Sequence, residues 1–212
     1  MALIGHRRFK ARVEEKEICD SLKECRPVFE TNSDGWVTGI AVQGLPPERL
    51  LPFLVHLKFL QVLCFESLVD EPGEPVRPSF LERLSQLPNL KKLQICNHPI
   101  LLDSFSLLES LGLEHLRVRG CEITDQHIDR IFDLTQLQSL TIVNNPRVSF
   151  AKVEELLSLR LLNSLVLTFD AFSQNARFEL ESLGQSNGCQ LMYCKTDEVK
   201  VRNYLGNELP KE

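Results

Sequence analysis

An apolar triplet spaced as L-x-x-L-x-L recurs six times in this 212-residue chain, and that recurrence restricts its fold more than any other feature. The copies are Val37/Ile40/Val42, Leu60/Leu63/Phe65, Leu90/Leu93/Ile95, Leu113/Leu116/Val118, Leu137/Leu140/Ile142 and Leu162/Leu165/Leu167. All eighteen positions are apolar in a chain that is 43% apolar, a coincidence expected about once in a few million random draws. The starts lie 23, 30, 23, 24 and 25 residues apart, enough for one strand, one turn and one helix but too few for a domain.

The units spell out those elements. In the fourth, Leu113 to Arg119 alternates as a strand, Gly120-Cys121 turns, and Thr124 or Asp125 caps a helix that places Ile128, Ile131 and Leu134 on one face. In the second, Ser79 and Glu82 are spaced as a capping box ahead of Leu81, Leu84 and Leu87. No single unit can bury its own apolar face, so the units must stack. The expected fold class is α/β: a right-handed solenoid, horseshoe or arc, with a parallel concave sheet and convex helices.

Three segments follow. Residues 1–35 read as an N-terminal helix and hairpin cap, with Asn32-Ser33-Asp34-Gly35 between two β-prone stretches. Residues 36–188 hold about six repeats, and 189–212 a closing strand, Gln190 to Cys194, followed by a segment from Asp197 to Leu205 over the edge and a tail. The proline-rich stretch 70–78 lengthens the second unit and is expected to loop out from the rim.

On these motifs, residues 36–188 resemble leucine-rich repeat proteins, and Gly120-Cys121-Glu122-Ile123-Thr124-Asp125 resembles their cysteine-containing subclass. The helix and hairpin before the repeats are similar to the N-terminal cap of bacterial members. The resemblance implies that Asn or Cys at the ninth repeat position satisfies backbone groups in the turn, a role that falls to Cys121 and Asn145. Leu45, Leu68, His98 and Asp170 depart from that pattern.

Function is read from the positions between the leucines. The third, fifth and seventh residues of each strand point away from the core and form three ladders across the sheet. They are Gly39, Val62, Lys92, His115, Ser139, Ser164; then Ala41, Cys64, Gln94, Arg117, Thr141, Val166; then Gln43, Glu66, Cys96, Arg119, Val143, Thr168. Lys92, Arg117 and Arg119 with His115 make a cationic centre on a chain of net charge −5. The candidate partner-binding set is therefore Lys92, Gln94, His115, Arg117, Arg119, Thr141 and Glu66. It suits a protein partner with an acidic patch, because arginine binds carboxylates bidentately and anchors interfaces. Neutralisation of the arginines by Glu66 is the plainer reading of the same residues.

Other classes are disfavoured. Twenty-four Lys+Arg against 29 Asp+Glu argues against sequence-independent nucleic-acid binding, no stretch is long enough to span a membrane, and no signal-peptide core follows the N-terminus. Seven cysteines without a Cys-x-x-Cys pair fit reduced thiols in the cytoplasm. No cofactor, metal or oligomer is expected, and neither phosphate-loop nor hydrolase motifs occur. The alternatives are a substrate-recognition adaptor of a larger complex and a cysteine-dependent enzyme using Cys96 beside Arg119, with His98 nearby in the turn. A metal set from His98, Cys121 and Asp170 is incomplete. A basic cluster at His6, Arg7, Arg8, Lys10 and Arg12 reads as a solvated helix face.

Overall fold

The computed structural model describes residues 15–16, 19–20, 22, 27–67, 73–168 and 171–194. The basic cluster at 6–12, the edge segment from Asp197 to Leu205, and the turn residues Leu68 and Asp170 lie outside them.

Eight strands form one open sheet in strict chain order. β1 (Val28–Thr31) and β2 (Val37–Gln43) make an antiparallel hairpin. β3 (Val62–Glu66), β4 (Lys92–Cys96), β5 (His115–Arg119), β6 (Ser139–Val143), β7 (Ser164–Thr168) and β8 (Gln190–Cys194) then add in parallel. Six α-helices among the described residues connect them: α1 (Pro47–Leu54), α2 (Pro78–Leu84), α3 (Leu102–Phe105, continued by a 3-10 helix Ser106–Leu111), α4 (Asp125–Ile131), α5 (Phe150–Leu156) and α6 (Gln174–Ser186).

The register is that of the apolar triplets. Ile40, Leu63, Leu93, Leu116, Leu140, Leu165 and Leu191 pair in series, and all eighteen triplet positions are buried. They pack against Leu50, Phe80, Leu84, Ile128, Ile131, Val153, Leu156 and Leu180 of the helices in one continuous core. Each such side chain contributes about 1.5–3 kcal/mol when withdrawn from water, so a one-residue slip of any strand would forfeit three of them at once.

The strands end in a shared backbone conformation. Gly44, Asn97, Gly120 and Asn144 all occupy the eighth repeat position, with φ between 55° and 68°. That left-handed region penalises a Cβ, and glycine and asparagine tolerate it best. The hairpin turn is fixed by Asn32, whose Oδ1 accepts hydrogen bonds from the Asp34 and Trp36 amides. Glu15 reaches the same edge, its Oε2 accepting from the Val37 amide at 2.7 Å.

Two expectations are corrected. Helix α2 has Arg77 as its N-cap and Pro78 in its first turn, with no side-chain cap, because the fixed φ of proline starts the helix one residue before Ser79. The stretch 70–78 does not simply loop out. Its residues 70–72 lie outside the described set, but the Gly73 amide donates to the Asn97 carbonyl, the Val76 amide donates to the Pro99 carbonyl, and Val76 is buried. Ser104 Oγ donates to the Val76 carbonyl at 2.8 Å, and His98 Nδ1 lies 2.9 Å from the Glu74 carbonyl. The segment is thus a covering layer over the turn after β4. A Cβ at Gly73 would overlap the His98 ring, so Gly73→Ala is expected to cost about 1–3 kcal/mol and to raise proteolytic cleavage within 73–77. Unchanged cleavage would show that the segment is not pinned.

Candidate functional site

The face of the sheet opposite the helices carries the three ladders in the expected register. Lys92 pairs with His115, Gln94 with Arg117, and Cys96 with Arg119 across β4 and β5, and Thr141 follows Arg117 on β6. The backbone therefore places the candidate residues side by side, while their side chains fall into two groups of different accessibility.

The seventh-position row is closed. Glu66 is 0% exposed and Arg119 4%, and Arg119 Nη2 donates to Glu66 Oε1 at 2.9 Å. Gln43 Nε2 donates to the other carboxylate oxygen at 3.1 Å, so Glu66 is satisfied on both sides. Cys96 stands between Glu66 and Arg119 in the register. The ion pair consequently reaches across two strand spacings, about 9.6 Å, and only a small residue at 96 leaves room for it. Sequence reasoning offered Arg119 and Glu66 as partner-facing groups, and here they are buried and spent on each other. The reason is length: two long side chains flanking a short one meet above it rather than extend into solvent. Gln94, in the fifth-position row, is likewise buried.

The open part lies in the other two rows. His115 is exposed, and Lys92, Arg117, Ser139, Thr141 and Ser164 are half-buried. Among the described residues neither Lys92 nor Arg117 forms an ion pair, and Arg117 Nε is buried without a hydrogen-bond partner. Partial burial, reinforced by the Lys92 ammonium, lowers the His115 pKa below the ordinary imidazole range despite nearby Glu114. Glu30 on β1 is raised by burial and feels Lys92 in the opposite sense. An anionic group arriving here meets an unpaired guanidinium and ammonium, with hydroxyls beside them.

The turns at the end of the strands are built differently. Asn145 is buried, its Oδ1 accepts from the Cys121 and Ile123 amides at 3.0 and 3.1 Å, and its Nδ2 donates to the Val118 and Val143 carbonyls, both at 3.0 Å. Cys121 Sγ lies 3.1 Å from the Ile95 carbonyl, and burial pushes its thiol well above the usual range. His98 is buried, which lowers its pKa, and its Nε2 has no hydrogen-bond partner among the described residues. His127, unremarked in the sequence, forms a capping arrangement: the Thr124 amide donates to Nδ1 at 3.2 Å, leaving Nε2–H for the Ile100 carbonyl at 2.9 Å. Among the described residues no three His, Cys, Asp or Glu side chains converge as a metal set, and no helix is long and apolar enough to cross a membrane.

Sequence reasoning also missed a neighbour relation. Cys64 and Cys96 belong to different ladders, yet both are buried, and burial raises the Cys64 thiol while Cys64 lowers the Cys96 thiol. The signal was available in the register, which places them diagonally on adjacent strands.

No protein-family profile matches the chain, and no curated protein matches it. Among solved structures, an internalin from Listeria monocytogenes aligns over 84% of this chain and 67% of its own, at 15% identity and a TM-score of 0.32. The reading of the site accordingly stands on this chain's own repeat, register and side-chain geometry.

Proposed function

We propose that the chain is a leucine-rich repeat solenoid that works as a noncatalytic, monomeric protein-interaction module in the cytoplasm, binding a partner through the concave face of its sheet. One observation carries the reading. Lys92 and Arg117, with the His115 imidazole beside them, form an accessible cationic cluster without ion-pair partners among the described residues, on an otherwise acidic chain. A preformed sheet loses little ordering entropy on docking, and a desolvated Arg–carboxylate pair is strong and directional. The partner therefore presents an acidic patch, and Ser139, Thr141 and Ser164 supply hydroxyls at its margin. Supporting the solenoid are the paired triplets, the left-handed column at the eighth position, and the Asn145 and Cys121 turns. The partner-facing set is narrower than the sequence indicated: Arg119, Glu66 and Gln94 support the surface from beneath.

Affinity capture from native extract with the wild type and a Lys92→Glu/Arg117→Glu variant tests this, after circular dichroism shows both to be folded. A protein held by the wild type, released by rising salt and absent from the variant is the expected result. A partner retained equally by both overturns the proposal.

A further inference from the structure

The cations on and beside β4 and β5 are not treated alike. Lys91 pairs with Glu114 and Arg119 with Glu66, whereas Lys92 and Arg117 enter no ion pair among the described residues. The carboxylate of Glu30 on β1 feels Lys92 but forms no ion pair with it. The register sets Lys92 opposite His115, with Arg117 two residues further along the same strand. Strand spacing and rise then put the Lys92 and Arg117 Cα atoms about 8 Å apart on the diagonal, a span that two long side chains close by converging on one group between them. Thr141 stands opposite Arg117 on the next strand and adds a hydroxyl. Around this centre the face is shallow, since the same rows carry Val62 and Cys64 on β3 and Ser139 on β6.

We propose, resting on the concave-face reading above, that Lys92, Arg117 and Thr141 form a phosphomonoester site, and that the partner docks through a phosphorylated side chain. Charge and shape both favour phosphate over an ordinary acidic residue. A carboxylate brings one negative charge and two coplanar oxygens, so it answers one cation and leaves the other bare. A phosphomonoester brings a charge of about −1.5 to −2 and three terminal oxygens, matching two cations and donors that rise from three successive strands. His115 adds no third charge at neutral pH, because partial burial and Lys92 hold its pKa below the ordinary imidazole range.

Arg117 is the centre of the set. Its side chain is half-buried, and its Nε is buried without a hydrogen-bond partner. A guanidinium grips phosphate with two parallel N–H groups, and a lysine supplies only a point charge. The unused Nε–H is a donor for such a fork, and a desolvated donor left unanswered in the free protein gains most when an anion arrives. Phosphorylation of the partner is therefore the switch for binding, and the hydroxyls of Ser139 and Ser164 face the residues that flank the phosphate.

The test is fluorescence polarisation of the full chain with degenerate peptide pools whose fixed central residue is phosphoserine, phosphotyrosine, serine or glutamate. One phosphorylated pool is expected to bind at least about 10-fold tighter than the glutamate pool, the difference expected for one added hydrogen bond between charged groups, and which pool does so identifies the phosphorylated residue. Arg117→Lys keeps the charge but removes the fork, and Thr141→Ala removes the hydroxyl; each should weaken that pool by about 10-fold or more for the arginine change and less for the threonine change. Circular dichroism checks that both variants fold. Equal binding of the phosphorylated and glutamate pools, or unchanged binding in Arg117→Lys, overturns the site. Phosphatase treatment of the extract before affinity capture separates this inference from the reading it rests on: the partner is expected to be lost. A partner still held by the treated wild type and lost by Lys92→Glu/Arg117→Glu overturns the phosphate site and leaves the concave face standing, whereas a partner held by that variant overturns both.

Discussion

Asn145→Ala is expected to destabilise the protein by about 3–5 kcal/mol. The side chain is buried and answers four backbone groups: the Cys121 and Ile123 amides and the Val118 and Val143 carbonyls. Truncation strands the Cys121 and Ile123 amides and removes one donor from each carbonyl, the Val143 carbonyl keeping the Gly120 amide, and each stranded group costs about 1–3 kcal/mol before relaxation. The turns after β5 and β6 are tied together by this one residue, so damage spreads to both units. Asn145→Asp separates the two halves of the effect. It keeps the acceptor for the amides but sets a carboxylate oxygen against the two carbonyls, and it should be nearly as costly. Urea denaturation followed by far-UV circular dichroism reads both values. A loss under about 1 kcal/mol for the alanine variant would show that the turns hold without the side chain.

The second large effect falls on the ion pair. Arg119→Ala removes the paired cation from a carboxylate that is 0% exposed and that also accepts from Gln43. Breaking a buried pair in this way costs about 3–5 kcal/mol. Replacing both members removes the stranded charge instead, so Glu66→Met/Arg119→Met should recover most of the loss. A double-mutant cycle in the same denaturation assay measures the coupling. Additive single effects would mean that the pair contributes nothing jointly, and that the seventh-position row is held closed by packing alone.

The sequence was most legible where the chemistry is periodic. Six copies of one triplet determined strand register through to β7, because a slip turns leucines toward water and no other pairing buries all eighteen. Asn145 was legible for a similar reason: a buried turn needs a side chain that both donates and accepts. Side-chain reach was less visible. Arg117 and Arg119 are two residues apart on one strand and look equivalent on paper, yet one meets Glu66 over the short Cys96 and the other forms no ion pair among the described residues. The proline-rich 73–76 segment was misread because prolines exclude a helix but say nothing about docking, and Gly73 mattered for the His98 ring it leaves room for. Pro78 displaced the expected cap of α2 by acting on φ, which outweighed a favourable Ser79–Glu82 spacing.

The division between an accessible cation cluster and a buried ion pair is the centre of this account. It is tested most directly by measuring, in one calorimetric assay against the captured partner, the affinity of Lys92→Glu/Arg117→Glu and of Glu66→Met/Arg119→Met. The first variant should keep wild-type stability and lose at least about 100-fold in affinity, the order expected when buried charge contacts at an interface are reversed. The second should bind within about threefold of wild type, since its charges never reach the partner. The opposite pattern, with binding lost in the methionine pair and kept in the glutamate pair, would contradict the assignment and place the partner on the seventh-position row.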